Sequence, residues 1–187
     1  MPDTITKAIT RPGAYPAFLA AFGVFATLLV IGVAHGLLST VGSVIGGPDQ
    51  SQIGQIWLFQ LISSVSGPVP FALGIFLSFW QIAPIAAVLR LAHVVTRSIL
   101  AAVLGGVTLW LFGLITAFVI TISDNPFSFR IGDVGTRLGA DALEPVFPAL
   151  NYLISELPVA VLAGILLWGW LQRHPPKTPV HGALDEV

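Results

Sequence analysis

The 187-residue chain contains no cysteine, and charged residues make up only 9% of it. Without cysteine the chain forms no disulfide, no thiolate-ligated zinc or iron–sulfur site and no cysteine nucleophile. Eight basic residues stand against nine acidic ones, so the clustered positive charge that a nucleic-acid-binding protein needs is missing. Soluble globular domains carry about 25% charged residues, which places this sequence outside their class.

Apolar residues account for 55% of the chain and are gathered into four long runs, at residues 17–38, 57–80, 100–122 and 147–170. Each run reaches the ~20 residues that a helix needs to cross the hydrocarbon core of a bilayer. We therefore predict an all-α membrane protein, a four-helix bundle forming one polytopic domain over residues 1–187. Its principal surroundings are then the lipid bilayer.

Two segments outside these runs have patterns of their own. After the second run, Arg90, His93 and Arg97 fall on one side of a helix, with apolar residues mainly on the other side. This pattern predicts a short amphipathic helix over residues 85–97 that lies in the membrane interface. The proline-containing tail, residues 173–187, is predicted to be flexible.

The positions of the basic residues predict the orientation of the chain. Six of them flank the spans on one side of the membrane: Lys7, Arg11, Arg90, Arg97, Arg173 and Lys177. The opposite loops contain only Arg130 and Arg137, diluted by acidic residues. By the positive-inside rule both termini are cytoplasmic. This pattern suits a plasma membrane, specifically a bacterial inner membrane.

The chain aligns with itself at an offset of 90 residues. The offset pairs identical residues, among them Pro68 with Pro158, Gly74 with Gly164, Leu77 with Leu167 and Trp80 with Trp170. Chance similarity between apolar helices is the alternative to an internal duplication. We predict a tandem repeat of two helical hairpins that point the same way, related by a pseudo-twofold axis along the membrane normal.

Two prolines, Pro68 and Pro158, lie inside the second and fourth predicted spans. Proline removes one helical hydrogen bond and clashes with the carbonyl four residues earlier, so we predict a kink in each helix. The freed carbonyls, those of Ser64 and Ile154, then need partners in side chains, neighbouring helices or water. Such kinks serve either bundle packing alone or the shaping of a site.

Glu156 is the only acidic residue in any predicted span, and it lies nine residues from the outer end of the fourth. At ~1.5 Å per residue it is about 14 Å deep, near the midplane. A charged side chain there costs about 3 kcal/mol on insertion scales, so it is expected to face protein or water. The acid predicts either a proton or cation site or a structural hydrogen bond, including one to a partner subunit.

The candidate polar site of this sequence comprises Glu156, His35, Ser66, Asn151 and Gln60. Because histidine titrates near neutral pH, His35 could relay protons toward Glu156, although an interfacial histidine more simply snorkels to water. Gly32 and Gly36 form a GxxxG spacing, which favours close helix approach. The acids of the loops lack metal-ligand spacing, so no metal site and no cofactor are predicted.

The sequence contains no nucleotide-binding loop, zinc motif, nucleophile elbow or paired intramembrane carboxylate. We therefore do not expect an enzyme. The first hypothesis is a non-catalytic multi-pass protein that serves as an accessory, scaffold or regulatory subunit, bound to other membrane proteins or to copies of itself. The alternative is a small oligomeric channel or transporter for protons, cations or a small solute, using Glu156. Lipid handling is a third hypothesis, for which no residue pattern in the sequence gives evidence.

Overall fold

The computed structural model describes residues 13–45, 62, 64–124 and 145–174, and every regular element in this part of the chain is helical. The described residues contain four helices: α1 (Ala14–Ile45), α2 (Pro68–Leu77), α3 (Leu91–Asp124) and α4 (Val146–Arg173). A π-helical turn, Ser78–Ile82, continues α2. Four helical segments of this part of the chain are long and apolar enough to cross a membrane: Ala14–Gly42, Ser64–Ile82, which includes α2 and the π-helical turn, Leu91–Val119 and Val146–Arg173. The predicted all-α chain with four such helices is thereby confirmed.

The packed core lies mostly in one half of the bundle, which we call the terminal half. This half contains the beginnings of α1 and α3 and the ends of α2 and α4, and the other is the distal half. The side chains buried in the terminal half include Val24, Phe71, Ile75, Phe79, Val94, Ala101 and Leu167. Contacts of α3 with α2 and with α4 are the most extensive, and those between α1 and α4 are fewer. Helices α2 and α4 therefore pack tightly on α3, whereas α1 packs on α2 and, more loosely, on α4.

Helix α2 approaches α3 most closely at Gly74. A Cβ atom placed on Gly74 would lie only 2.6 Å from the Cα of Gly105, which is closer than real Cβ contacts come. Beside this contact the Thr108 hydroxyl donates a hydrogen bond to the Pro70 carbonyl at 2.8 Å. Small residues permit such close backbone contact. In lipid no hydrophobic effect drives helices together, so close packing of this kind stabilises the contact between α2 and α3.

Helix α4 makes a similar close contact with α3 at Gly164, where a Cβ atom would overlap the hydroxyl of Ser98. That hydroxyl is fully buried and donates to the Val94 carbonyl at 2.8 Å. Gly74 and Gly164, which the 90-residue offset pairs, thus both pack against α3. A twofold axis would instead place Gly164 against α1, so these contacts depart from that symmetry, and the repeat stays a prediction.

The connection from α2 to α3, residues 83–90, is held by side chains from two helices. Arg97, in the second turn of α3, donates a hydrogen bond to the Pro84 carbonyl. Trp168 of α4 donates from its indole Nε1 to the Leu89 carbonyl at 3.1 Å. Both bonds satisfy loop carbonyls that have no helical partner.

The amphipathic helix predicted over residues 85–97 does not form as a separate element. Its first part is the non-helical connection, and its second part belongs to α3, which begins at Leu91. Arg90 and His93 are exposed, whereas Arg97 is partly buried. Helical periodicity alone does not distinguish an interfacial helix from the first turns of a long membrane helix, which explains the error.

The two prolines occupy different local structures. Pro68 is the first residue of α2, after a turn at Gly67. The N–H groups of the first helical turn have no partner within the helix, so proline costs no hydrogen bond at this position. Pro158 lies inside α4, which is helical over all 28 of its residues. Neither predicted kink is confirmed: the chain interrupts its helix before Pro68, and α4 stays helical through Pro158. The predicted tail falls almost wholly outside the described residues, which end at 174.

Candidate functional site

Glu156 on α4 and His35 on α1 both lie in the distal half of the bundle, at the α1–α4 seam. Glu156 is ten residues after Val146, the start of α4, and His35 is ten residues before Ile45, the end of α1. At ~1.5 Å per residue each lies about 15 Å from the distal end of its helix. The two side chains are close enough for their charges to interact. The longer α1 places His35 deeper than the predicted span did.

The pair is open to the surroundings, unlike the residues on the same helix faces in the terminal half. His35 follows Leu28 by seven residues and so shares its face, yet Leu28 is only 3% exposed whereas His35 is exposed. On α4, Glu156 is partly exposed, while Ala160, one turn later, is fully buried. Apolar side chains of the seam, such as Leu28 and Ala160, are therefore buried in the bundle, whereas the His35–Glu156 pair is accessible.

Tyr152 extends the polar site toward the start of α2. It lies one turn before Glu156 on α4, and its phenol is close enough for the carboxylate charge to act on it. Its ring packs edge-on against Phe71, with ring centroids 5.4 Å apart. A Cβ atom on Gly67 would lie 2.9 Å from this ring, so the turn before Pro68 leaves room for Tyr152.

The other predicted site residues lie in different surroundings. Ser66 is exposed, next to Gly67, and Asn151 is exposed on α4, where its backbone carbonyl accepts a hydrogen bond from Ser155 at 2.9 Å. Gln60 lies outside the described residues.

The GxxxG spacing contributes to packing within the chain. A Cβ atom on Gly32 would lie 3.3 Å from the side chain of Ser64, and Gly36 is buried. Ser64 is itself buried, at 8% exposure. Gly32 therefore brings α1 toward the segment before α2, and the buried Gly36 is not available as an external dimer surface.

Tyr152 is a site residue that the sequence-based prediction of the site did not include. Its spacing of four residues from Glu156 was the available signal, since residues four apart lie on one helix face. The closeness of Gly67 to Tyr152 has no comparable signal, because it depends on how α2 and α4 are placed by α3.

The arrangement offers one carboxylate, one imidazole and one phenol. The described residues contain no cluster of three potential metal ligands. Beyond the pair, toward the terminal half, the seam is closed by Val24, Leu28 and Leu167. The site is thus suited to hydrogen bonding and charge pairing at membrane depth, and it has no continuation through the described part of this single chain.

Comparison of the chain with protein-family models, with curated proteins and with solved structures gives no match.

Proposed function

We propose that this chain is a non-catalytic multi-pass membrane protein that acts as an accessory, scaffold or regulatory subunit of a membrane complex. The observation that carries the proposal is the open His35–Glu156 pair on the α1–α4 seam. An ionisable pair exposed to lipid is unfavourable, and such groups in membranes face protein or water. A partner helix, from another membrane protein or a second copy of the chain, would cover the pair and complete its hydrogen bonds.

Two further features support a docking role. Other polar side chains bond within the chain: Thr27, Thr40 and Thr116 each donate to the carbonyl four residues earlier. Such back-bonding leaves these hydroxyls with little to offer an external ligand. The second feature is that apolar side chains, among them Leu28 and Ala160, are buried one or two turns from the pair, so the pair is the polar part of this seam.

Photo-crosslinking in native membranes tests the docking proposal. A photoreactive amino acid at Leu38, one turn from His35 and 70% exposed, is expected to give a discrete protein adduct. The matched control is Ile115, 60% exposed on α3 and nine residues from the distal end of that helix, which is expected to give lipid adducts only. Equal patterns at both positions would contradict a partner on the α1–α4 seam.

The second candidate is a small oligomeric channel or transporter for protons, cations or a small solute. The observation that favours it is the same pair, because an acid and a histidine that interact at membrane depth form an elementary proton site. A single chain closes the route at the terminal half, so this function requires several copies to enclose a path.

We also propose that both termini are cytoplasmic and that the protein resides in a plasma membrane of bacterial inner-membrane type. The support is the bias of basic residues toward the terminal side. Reporter fusions at Gly47 and Asp133 are expected to read as external and fusions after Arg173 as cytoplasmic. A cytoplasmic signal from Gly47 or Asp133 would overturn this orientation.

A further inference from the structure

An apolar groove of about 340 Å³ runs along the seam between α1 and α4 in the terminal half. On α1 it extends from Leu19 to Thr27 and on α4 from Val159 to Trp170. At ~1.5 Å per residue these stretches are about 12 and 16 Å long. The hydrocarbon core is ~30 Å thick, so the groove has the length of the acyl layer of one leaflet.

The inside of the groove is suited to a hydrocarbon chain. The one hydroxyl among its lining side chains belongs to Thr27 and is already bonded to the Gly23 carbonyl at 2.8 Å. A Cβ atom on Gly23 would meet nothing within 4 Å, so this glycine leaves open space instead of bringing helices together. The groove is thus apolar along its length, and the indole of Trp170 at its terminal end is its one further polar side chain.

The terminal end of the groove carries positive charge. Trp170 lines this end, and His174 stacks on its ring with centroids 5.1 Å apart. Arg173 is exposed, and its position three residues after Trp170 continues the helix face that lines the groove. Tryptophan and arginine at the end of a membrane helix lie at the depth of lipid headgroups.

We propose that this groove binds one acyl chain of an anionic phospholipid from the leaflet on the terminal side, with Arg173 and His174 contacting the headgroup phosphate. The length and the apolar lining of the groove match an acyl chain, and its cationic end matches the headgroup phosphate. This site lies in the opposite half of the bundle from the His35–Glu156 pair and is independent of the proposed partner docking.

Lipid titration of the purified chain, followed by native mass spectrometry, tests the proposal. Phosphatidylglycerol is expected to bind saturably, one per chain, and about fivefold to tenfold more tightly than phosphatidylcholine of the same acyl composition. Equal affinity for the two lipids would mean ordinary annular lipid and would overturn the proposal.

Two pairs of variants locate the lipid. Gly23→Leu is expected to weaken phosphatidylglycerol binding about tenfold by filling the groove, whereas Gly42→Leu, at a glycine of α1 whose Cβ would also meet nothing within 4 Å, leaves it unchanged. Arg173→Gln is expected to remove the preference for the anionic lipid, while Arg90→Gln, at another exposed arginine on the same side, retains it. Equal behaviour within the arginine pair would exclude headgroup contact at Arg173, and this test holds even if Gly23→Leu fails to fold.

Discussion

Gly74→Ala is expected to lower the melting temperature of the purified bundle by about 4 to 10 °C, from an overpacking cost of about 2 to 3 kcal/mol. The added Cβ would lie 2.6 Å from both the Cα of Gly105 and the carbonyl oxygen of Leu104. Backbone atoms cannot rotate away as a side chain can, so α2 and α3 must separate. That separation also stretches the hydrogen bond from Thr108 to the Pro70 carbonyl.

The matched control is the same chemical change at Gly169, where a Cβ atom would meet nothing within 4 Å. Alanine is favoured over glycine inside a helix by about 1 kcal/mol, so Gly169→Ala is expected to leave the melting temperature unchanged or raise it slightly. Tryptophan fluorescence during a thermal ramp reports both variants, since the chain has five tryptophans. Two variants with the same melting temperature would show that α2 and α3 do not touch at Gly74.

Glu156→Leu is expected to reduce recovery of the crosslinked or co-purified partner by about 30-fold or more, because truncating one member of a covered charge pair costs about 2 to 5 kcal/mol. Glu156→Gln keeps the shape and hydrogen-bonding capacity of the side chain and is expected to lose less. The melting temperature of both variants should stay near that of the parent, since Glu156 is partly exposed and outside the packed core.

Ser155→Ala is the control for the Glu156 variants. Ser155 is adjacent and exposed, and its hydroxyl is occupied by the Asn151 carbonyl, so partner recovery should be unaffected. Measurement of proton or cation flux in liposomes that contain the parent chain or the same variants distinguishes the two candidate functions. Flux by the parent chain that Glu156→Gln abolishes would favour the transporter over the docking subunit.

The helices were predictable from the sequence because apolar runs of membrane-spanning length dominate its composition. Their ends were not, because hydropathy marks where a helix leaves lipid and not where the helix stops. Helix α1 continues to Ile45, seven residues beyond its predicted span. That extension matters for the site, since it makes His35 a residue of the helix interior.

The candidate site was predictable only in part. An acid alone among apolar residues identified Glu156, and a histidine of the first span suggested His35 as its neighbour. Their relative location depends on how closely α2 and α4 pack on α3. That packing in turn depends on the small residues Gly74, Gly105 and Gly164. A glycine in a membrane helix does not reveal which helix it touches, so the sequence predicts that helices approach and leaves the pairing open.

The hydrogen bond from Trp168 to the Leu89 carbonyl bears on the order in which the protein is made. Its donor follows its acceptor by 79 residues, so the connection between α2 and α3 is synthesised long before the side chain that completes it. The Pro84 carbonyl, in contrast, receives Arg97 as soon as the start of α3 has been synthesised. Until α4 is in place, the Leu89 carbonyl therefore lacks the side-chain donor that it has in the folded bundle. Insertion of α4 thus supplies a hydrogen bond to the α2–α3 connection that α2 and α3 do not provide.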